Sequence, residues 1–240
     1  MDISWLSRTS LLIGEDAVRS LTKKHVLVVG MGGVGSFAAE FIARGGVGKM
    51  TIIDGDTVDP TNRNRQLPAL ATNHGVSKAD IMSERLQQIN PELSITAIKS
   101  FIHPDMVSAI LEEAPDFIID AIDSITPKVT FLELAFQRQI PMVSSMGAGA
   151  KLDPTQLQVV DLSKTYNCPF AQQIRKQLKQ RGIRSGIPAV FSPEKHVKSS
   201  LKLTDGSNFK RSFYGTISYL PATFGAVCAS VAIRHLIENK

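Results

Sequence analysis

A doubly wound α/β sheet is the fold class this sequence predicts, and three observations carry the prediction. Apolar, β-branched runs recur at HVLVV, KMTII, LSITAI, FIID and PMVSS. Between them lie segments whose apolar residues repeat three and four apart, the period of a helix. A glycine-rich turn, GMGGVGS, joins the first run to the first of these helices. Strands buried on both faces read as continuous apolar runs, and regular strand–helix alternation gives a parallel sheet.

The elements follow in order. Residues 10–23 read as a helix leading into the domain. HVLVVG is the first strand, and SFAAEFIAR is a helix stopped by Gly45 and Gly46. KMTIIDGD is a second buried strand. Residues 57–75, TVDPTNRNRQLPALATNHG, form a polar loop. Loops of this length are functional or disordered, and its Asn and Arg content favours function. Residues 78–88 read as a helix with Ser77 as N-cap. LSITAIKS, FIIDAIDS and PMVSSMGAGA supply three more strands, with DMVSAILEEA and VTFLELAFQRQ as intervening helices.

Beyond residue 150 the alternation fails. DPTQLQVVDLSKT reads as a β-hairpin or edge strands. PFAQQIRKQLKQRG is a basic helix closed by Gly182 at its C′ position. Residues 185–215 are rich in Pro, Ser, Lys and Gly and read as loop. Residues 217–233 are mostly apolar but somewhat shorter than the roughly 20 residues of a spanning helix, so a buried C-terminal helix is expected and no membrane insertion. The expected organisation is a Rossmann-like nucleotide-binding domain over 1–150, with a loop-rich substrate region over 151–240 packed on the same sheet.

Composition narrows the function. A chain of 240 residues can bury a sizeable core. The net charge of +5 permits a polyanionic partner without requiring one. The two cysteines, Cys168 and Cys228, form no CxxC pair, which excludes a four-cysteine zinc site and makes a disulfide framework unlikely. MDISWLSRTS has no basic stretch leading into an apolar run, so no signal peptide is expected and a reducing cytoplasm fits.

Gly30, Gly32 and Gly35 form GxGxxG between a strand and a helix. The first allows a tight turn, the second lets backbone approach a phosphate, and the third lets helix pack on strand. The helix N-terminus offers N–H groups to an anion. Asp54 ends the next strand, where a ribose-binding carboxylate belongs. These features suit NAD as well as ATP. The polar loop separates the two: Asn62 and Arg65 follow the second strand, Lys78 opens the next helix, and Asp123 follows the fourth strand. All four face the crevice of the glycine turn in a doubly wound sheet. Arg65 and Lys78 can neutralise the phosphates of a leaving pyrophosphate. Asp123 can hold Mg²⁺ between phosphates, and Asn62 can orient a phosphate oxygen or the attacking group.

With these residues in place the chain resembles the E1-like adenylating family. The resemblance rests on GMGGVGS (which includes Gly33), Asp54 and Asp56 in DGD, NRNRQ with Asn62, Arg65 and Gln66, the helix-opening Lys78, and DAIDS with Asp123. It implies that these residues bind ATP and Mg²⁺. It also implies a homodimer, in which Arg8 of SRTSLLIG reaches the phosphates bound by the other subunit. Sulfur-carrier activators of the family usually carry zinc-binding CxxC pairs, which this chain lacks. INPE, DAIDSITPK, GAGAKLDPTQLQVVDLSKT, VFSPE and PATFGAV resemble a narrower branch, the tRNA threonylcarbamoyladenosine dehydratases. Cys168 departs from that pattern, since many relatives have aspartate before the proline, and the 182–215 stretch is shorter than in some. The branch implies ATP-dependent cyclisation of a tRNA-borne carboxylate through an acyl-adenylate, without a catalytic thiol. Arg175, Lys176, Lys179, Arg181 and Arg184, with Lys195, Lys198 and Lys202 beyond, would then form a tRNA surface. The alternatives are adenylation of a ubiquitin-like sulfur carrier, an NAD-dependent oxidoreductase, and a non-catalytic binding module.

Overall fold

The computed structural model describes residues 2–203 and 212–238. The Lys198 side chain and the 204–211 part of the loop expected over 185–215 lie outside the described residues.

Five apolar runs form β1 (His25–Val29), β2 (Lys49–Ile53), β3 (Ser94–Ile98), β4 (Phe117–Asp120) and β5 (Met142–Ser145). All five are parallel to their neighbours, in the order β3-β2-β1-β4-β5. The reversal of order at β1 and β4 opens a crevice at the carboxyl ends of the strands. The C-terminal region completes this same sheet. β7 (Pro188–Phe191) adds parallel to β5, and β6 (Gln158–Asp161) closes the edge antiparallel to β7. The expectation of an edge strand near 158 is met, but its partner is β7 rather than a hairpin within 153–165. A separate antiparallel pair joins β8 (Leu201–Leu203) to β9 (Ser212–Tyr214).

The helix expected over 10–23 is two: α1 (Ser7–Ile13) and α2 (Glu15–Leu21). Gly14, at φ 87°, breaks them, because that left-handed angle cannot continue a helix. The remaining helices are α3 (Gly35–Arg44), α4 (Lys78–Ile89), α5 (Val107–Leu111), α6 (Ile125–Gln137), α7 (Pro169–Gln180) and α8 (Tyr219–Glu238). Ser77 caps α4 by accepting from the Asp80 N–H. α7 ends in a Schellman motif: Gly182 N–H donates to Lys179 O and Ile183 N–H to Leu178 O, with Gly182 at φ 87°.

Two apolar clusters cover the two faces of the sheet. One gathers α3, α4 and α8 over β1, β2 and β4; the other gathers α5, α6 and α7. α8 has 20 residues and is long and apolar enough to cross a membrane by composition. Here it buries Leu220, Phe224, Cys228, Ala232 and Leu236 against α3 and the sheet. Gly225 lets the two helices touch, since a Cβ there would lie 2.5 Å from Val34 O and 3.0 Å from Ala38 N.

Candidate nucleotide and carboxylate-activation site

The glycine turn is shaped from within. Gly30 sits at φ 91°, and a Cβ there would meet Ala121 O at 2.8 Å. A Cβ on Gly35 would strike Gly30 O at 1.7 Å, so strand and helix close only over hydrogen. Gly33 packs on Pro221 of α8, where a Cβ would lie at 2.9 Å. Gly32 differs. Its hypothetical Cβ meets only Gln66 Nε2, at 3.8 Å, so no protein atom requires glycine there. An arriving phosphate would, because it needs the space and the N–H groups of the turn. Among the described residues, no backbone carbonyl accepts from the N–H groups of Gly32, Gly33 or Val34.

Asp54 is placed differently from a free ribose ligand. One carboxylate oxygen accepts from Met31 N–H at 2.6 Å, the other from Asp56 N–H at 2.7 Å. It therefore ties the glycine turn to the end of β2. Burial pushes its carboxyl above the usual value, opposed by Lys78 and the two amides. Lys78 is buried and forms an ion pair with Asp56 Oδ2 at 2.9 Å. Asn62 is also buried. Its Oδ1 accepts from Asp59 N–H at 3.1 Å within a capping box around the short turn Pro60–Asn62, so it braces the loop.

Arg65 is half-buried. Its Nη1 donates to Thr61 O at 3.1 Å and Asn64 Oδ1 at 2.9 Å. Burial lowers its pKa from the usual value, while the charge of Asp123 raises it. Arg65 and Asp123 thus stand within electrostatic reach across the crevice, and Asp123 is exposed there. Gln66 Nε2 lies 3.8 Å from the Cβ position of Gly32, and its Oε1 is a buried acceptor with no partner among the described residues. Such atoms are rare in folded proteins, and a bound ligand is one explanation. Arg8 is the exception to this convergence: it is an exposed residue of α1. On the same helix Leu11 and Leu12 are 88% and 85% exposed.

Sequence reasoning missed the support beneath Asp123. Asp120 and Lys128 are fully buried and pair at 2.7 Å. Asp120 Oδ2 also accepts from Ser144 Oγ at 2.6 Å, and Oδ1 from Ile122 N–H at 3.0 Å. Lys128 donates to Ile122 O at 3.1 Å. These bonds fix the turn between β4 and α6 that carries Asp123. The available signal was an aspartate inside FIID, since a buried carboxylate needs a partner.

Neither cysteine is accessible. Cys228 is fully buried, and burial pushes its thiol up to about 12. Cys168 caps α7, its Sγ accepting from Ala171 N–H at 3.5 Å. Beside Asn64, a cavity of about 520 Å³ is lined by residues 150–152, Val197, Ser200 and residues 215–218. The Asn64 amide joins the cavity to the crevice, because it accepts from Arg65 and donates to Thr216 O at 2.9 Å.

A glycine turn with open amides, two cations and an exposed carboxylate at one strand edge defines a nucleotide-binding α/β protein built for phosphate chemistry. The chain belongs to the ThiF family, whose model matches residues 6–240. The tRNA threonylcarbamoyladenosine dehydratase of Escherichia coli is 40% identical, over 98% of this chain and 96% of the relative. Its counterpart in Bacillus subtilis is 43% identical, over 78% of this chain and 74% of its own length. A crystal structure of the E. coli dehydratase in complex with ATP superposes with a TM-score of 0.88 at 39% identity, over 98% of this chain and 95% of that one. The fold class expected from the strand–helix alternation is therefore the one found.

Proposed function

We propose that this protein is an ATP-dependent tRNA threonylcarbamoyladenosine dehydratase. The observation that carries the reading is the gathering of Arg65, Lys78 and Asp123 at an open glycine turn, in a chain whose thiols are both buried. Near-full-length identity to dehydratases supports the same assignment.

The chemistry has two steps. An oxygen of the threonyl carboxylate attacks the α-phosphorus of ATP, and the bond to pyrophosphate breaks. A nucleophilic atom of the carbamoyl group on the same side chain then attacks the acyl carbon, AMP leaves with the carboxylate oxygen, and the carbamoyl group loses a proton from nitrogen. The nucleoside has lost the elements of one water. Ring closure within one side chain has a high effective concentration, so no covalent enzyme intermediate is required. Arg65 and Lys78 offset the negative charge that builds on the phosphates, and the turn amides orient them. Gln66 Oε1 offers an acceptor to the nucleotide. The cavity beside Asn64 receives the modified nucleoside.

Asp123 fits a Mg²⁺ ligand. Magnesium takes one or two carboxylates and completes its shell with phosphate oxygens and water, and the exposed Asp123 carboxylate could supply one of them. When bound, the ion would neutralise phosphate charge.

We assign a homodimer on α1. Arg8, Leu11 and Leu12 are three and four residues apart and share a face, and a second copy of the chain would cover the leucines and receive Arg8 at its phosphates. A reducing cytoplasm suits both free thiols. The sulfur-carrier reading draws on weaker likeness, such as 28% identity to the molybdopterin-synthase adenylyltransferase of E. coli over 64% of this chain.

The test is direct. The protein is incubated with ATP, Mg²⁺ and tRNA bearing threonylcarbamoyladenosine, and the digested nucleosides are weighed. The expected product is lighter by one water and appears with AMP. Pyrophosphate exchange that depends on a Gly-Gly carrier protein and not on tRNA would overturn the reading.

A further inference from the structure

Asn64 stands between the two halves of the proposed reaction. Its Oδ1 accepts from Arg65 Nη1 at 2.9 Å, on the side of the phosphates. Its Nδ2 donates to Thr216 O at 2.9 Å, on the side of the cavity that both residues line. The amide can serve both contacts in only one orientation. Turned over, it would set its NH₂ group against the guanidinium and its oxygen against the Thr216 carbonyl, and both contacts would be repulsive. Thr216 O therefore selects the orientation in which Asn64 offers an acceptor to Arg65.

The wall that carries this carbonyl is tightly bonded. Gly215 N–H donates to Ser200 O at 3.0 Å, and Gly215 O accepts from Ala150 N–H at 2.8 Å. Ala150 O accepts in turn from Val197 N–H at 3.1 Å, and Thr216 Oγ1 donates to Tyr214 O at 3.1 Å. Ala150 is buried at φ 59°, a left-handed angle uncommon for residues with a Cβ. Such an angle persists where surrounding contacts over-determine it, so the wall is stiff. The other partner of Arg65 Nη1 is Thr61 O, which belongs to the same loop as Arg65 and lends it no outside reference. From across the crevice the charge of Asp123 acts on the same guanidinium. An Arg65 released from Asn64 would turn toward that carboxylate, and both groups would be drawn away from the nucleotide.

We infer that Asn64 is a positioning residue for the proposed adenylation, aiming Arg65 at the pyrophosphate end of ATP by referring it to the wall of the nucleoside cavity. The inference deepens the proposed function and rests on it. One rigid frame then registers both Arg65 and the nucleoside that brings the reacting carboxylate. A displacement of about 1 Å caused away from the chemistry can cost about 10²-fold in rate, so a neutral, exposed side chain can govern turnover without touching a phosphate.

The test is a double-mutant cycle on the full chain. Asn64→Leu, which keeps the shape and removes both hydrogen bonds, is combined with Arg65→Ala. Asn64→Gln keeps the donor and the acceptor on a longer arm. ATP and AMP affinities are measured by calorimetry without tRNA, and kcat is measured with ATP and modified tRNA. Asn64→Leu should weaken ATP by about three- to tenfold, the worth of one hydrogen bond, and leave AMP, which lacks the pyrophosphate, unchanged. Its kcat should fall at least about tenfold, and Asn64→Gln should recover most of both losses. In the Arg65→Ala background Asn64→Leu should add less than about twofold, because residues acting through one another are not additive. Gly149→Ala probes the wall, since its Cβ would lie 2.9 Å from Tyr214 Cβ and 3.3 Å from Thr216 Oγ1. It should weaken ATP where Asn64 is present and not in the Asn64→Leu background.

Independent, additive losses from Asn64→Leu and Arg65→Ala would overturn the inference, as would an equal loss of AMP or wild-type behaviour of Asn64→Leu. A Gly149→Ala loss that persists without Asn64, or no loss at all, would detach Arg65 from the wall and overturn it too. If the cycle couples on ATP while wild type dehydrates no modified tRNA, the positioning stands and the proposed reaction falls. Because Asn64 is exposed, Asn64→Leu should melt within about 2 °C of wild type, which separates positioning from loss of fold.

Discussion

Replacing Lys128 by Met tests whether the buried pair beneath Asp123 holds the site together. Lys128 and Asp120 are both 0% exposed and 2.7 Å apart. The carboxylate would keep only two neutral donors, Ser144 Oγ and Ile122 N–H. Ile122 O would lose its contact to Nζ, and the cation lying 5.6 Å from the Phe170 ring centroid would be gone. Breaking one side of a buried pair costs about 3–5 kcal/mol, because a charge remains unpaired in a dry interior. In a domain of this size each kcal/mol moves Tm by about 2–4 °C, so a fall of roughly 6–20 °C is expected. Thermal and urea unfolding measure it. The double variant Asp120→Asn, Lys128→Met leaves no unpaired charge and should recover more than half of the loss. Turnover should fall with Lys128→Met even where the protein is folded, since the Ile122–Asp123 turn loses its anchor. A Lys128→Met protein within about 1 kcal/mol of wild type would refute the argument.

Other expectations concern chemistry and pH. Arg65→Ala should lower kcat by about 10²–10³, the usual loss on removing one charge-stabilising donor, and AMP release with modified tRNA reads it; wild-type turnover would remove Arg65 from the mechanism. Cys168→Ser should keep activity and stability, because a serine hydroxyl also caps α7, and an inactive but folded Cys168→Ser would point to a thiol role. Iodoacetamide at pH 8 should leave both cysteines unmodified in the native protein and label both after denaturation, as burial and the Cys228 thiol at about 12 require. Glu40 lies below the usual carboxylate range, since its burial is outweighed by hydrogen bonds from Arg85 and Arg44. A depressed acid stabilises the fold above its unfolded pKa of about 4.3 and loses that contribution as pH falls through its folded value. Glu40→Gln should therefore cost about 0.5–1 kcal/mol at pH 7, allowing for exposed arginines, and nothing in strong acid; a constant difference across the pH series would contradict the linkage.

The nucleotide-binding half was legible because its signals are local. HVLVV and KMTII are continuous apolar runs, and GMGGVGS marks the turn between strand and helix whatever surrounds it. β7 was not legible. PAVF is only four residues, opens with Pro188, and sits in a Ser- and Lys-rich stretch. Its place beside β5 depends on a partner more than 40 residues earlier in the chain, which no local pattern encodes. The split at Gly14 was missed because glycine within a helical pattern is tolerated, and only the observed φ of 87° rules continuation out. In the site, residue type and spacing brought Arg65, Lys78 and Asp123 to the same crevice. They did not distinguish groups facing that crevice from groups bracing it. Asp54 and Asn62 turned out to be bound to backbone amides, an arrangement that depends on how the loop closes.

The packing of α8 on α3 has a consequence for biosynthesis. The glycine turn and α3 are complete by Arg44, but the helix that covers α3 begins only at Tyr219. Gly225 must meet Val34 O and Gly33 must meet Pro221 before that face is closed. During translation the phosphate-binding turn therefore waits, with Ala38 and Ile42 uncovered, until the chain has been made through α8. Contacts so distant in sequence form late and slow folding, and the exposed apolar face is a target for aggregation in the meantime. A nascent chain stalled before Tyr219 should engage chaperones, and nucleotide protection should appear only when α8 is released.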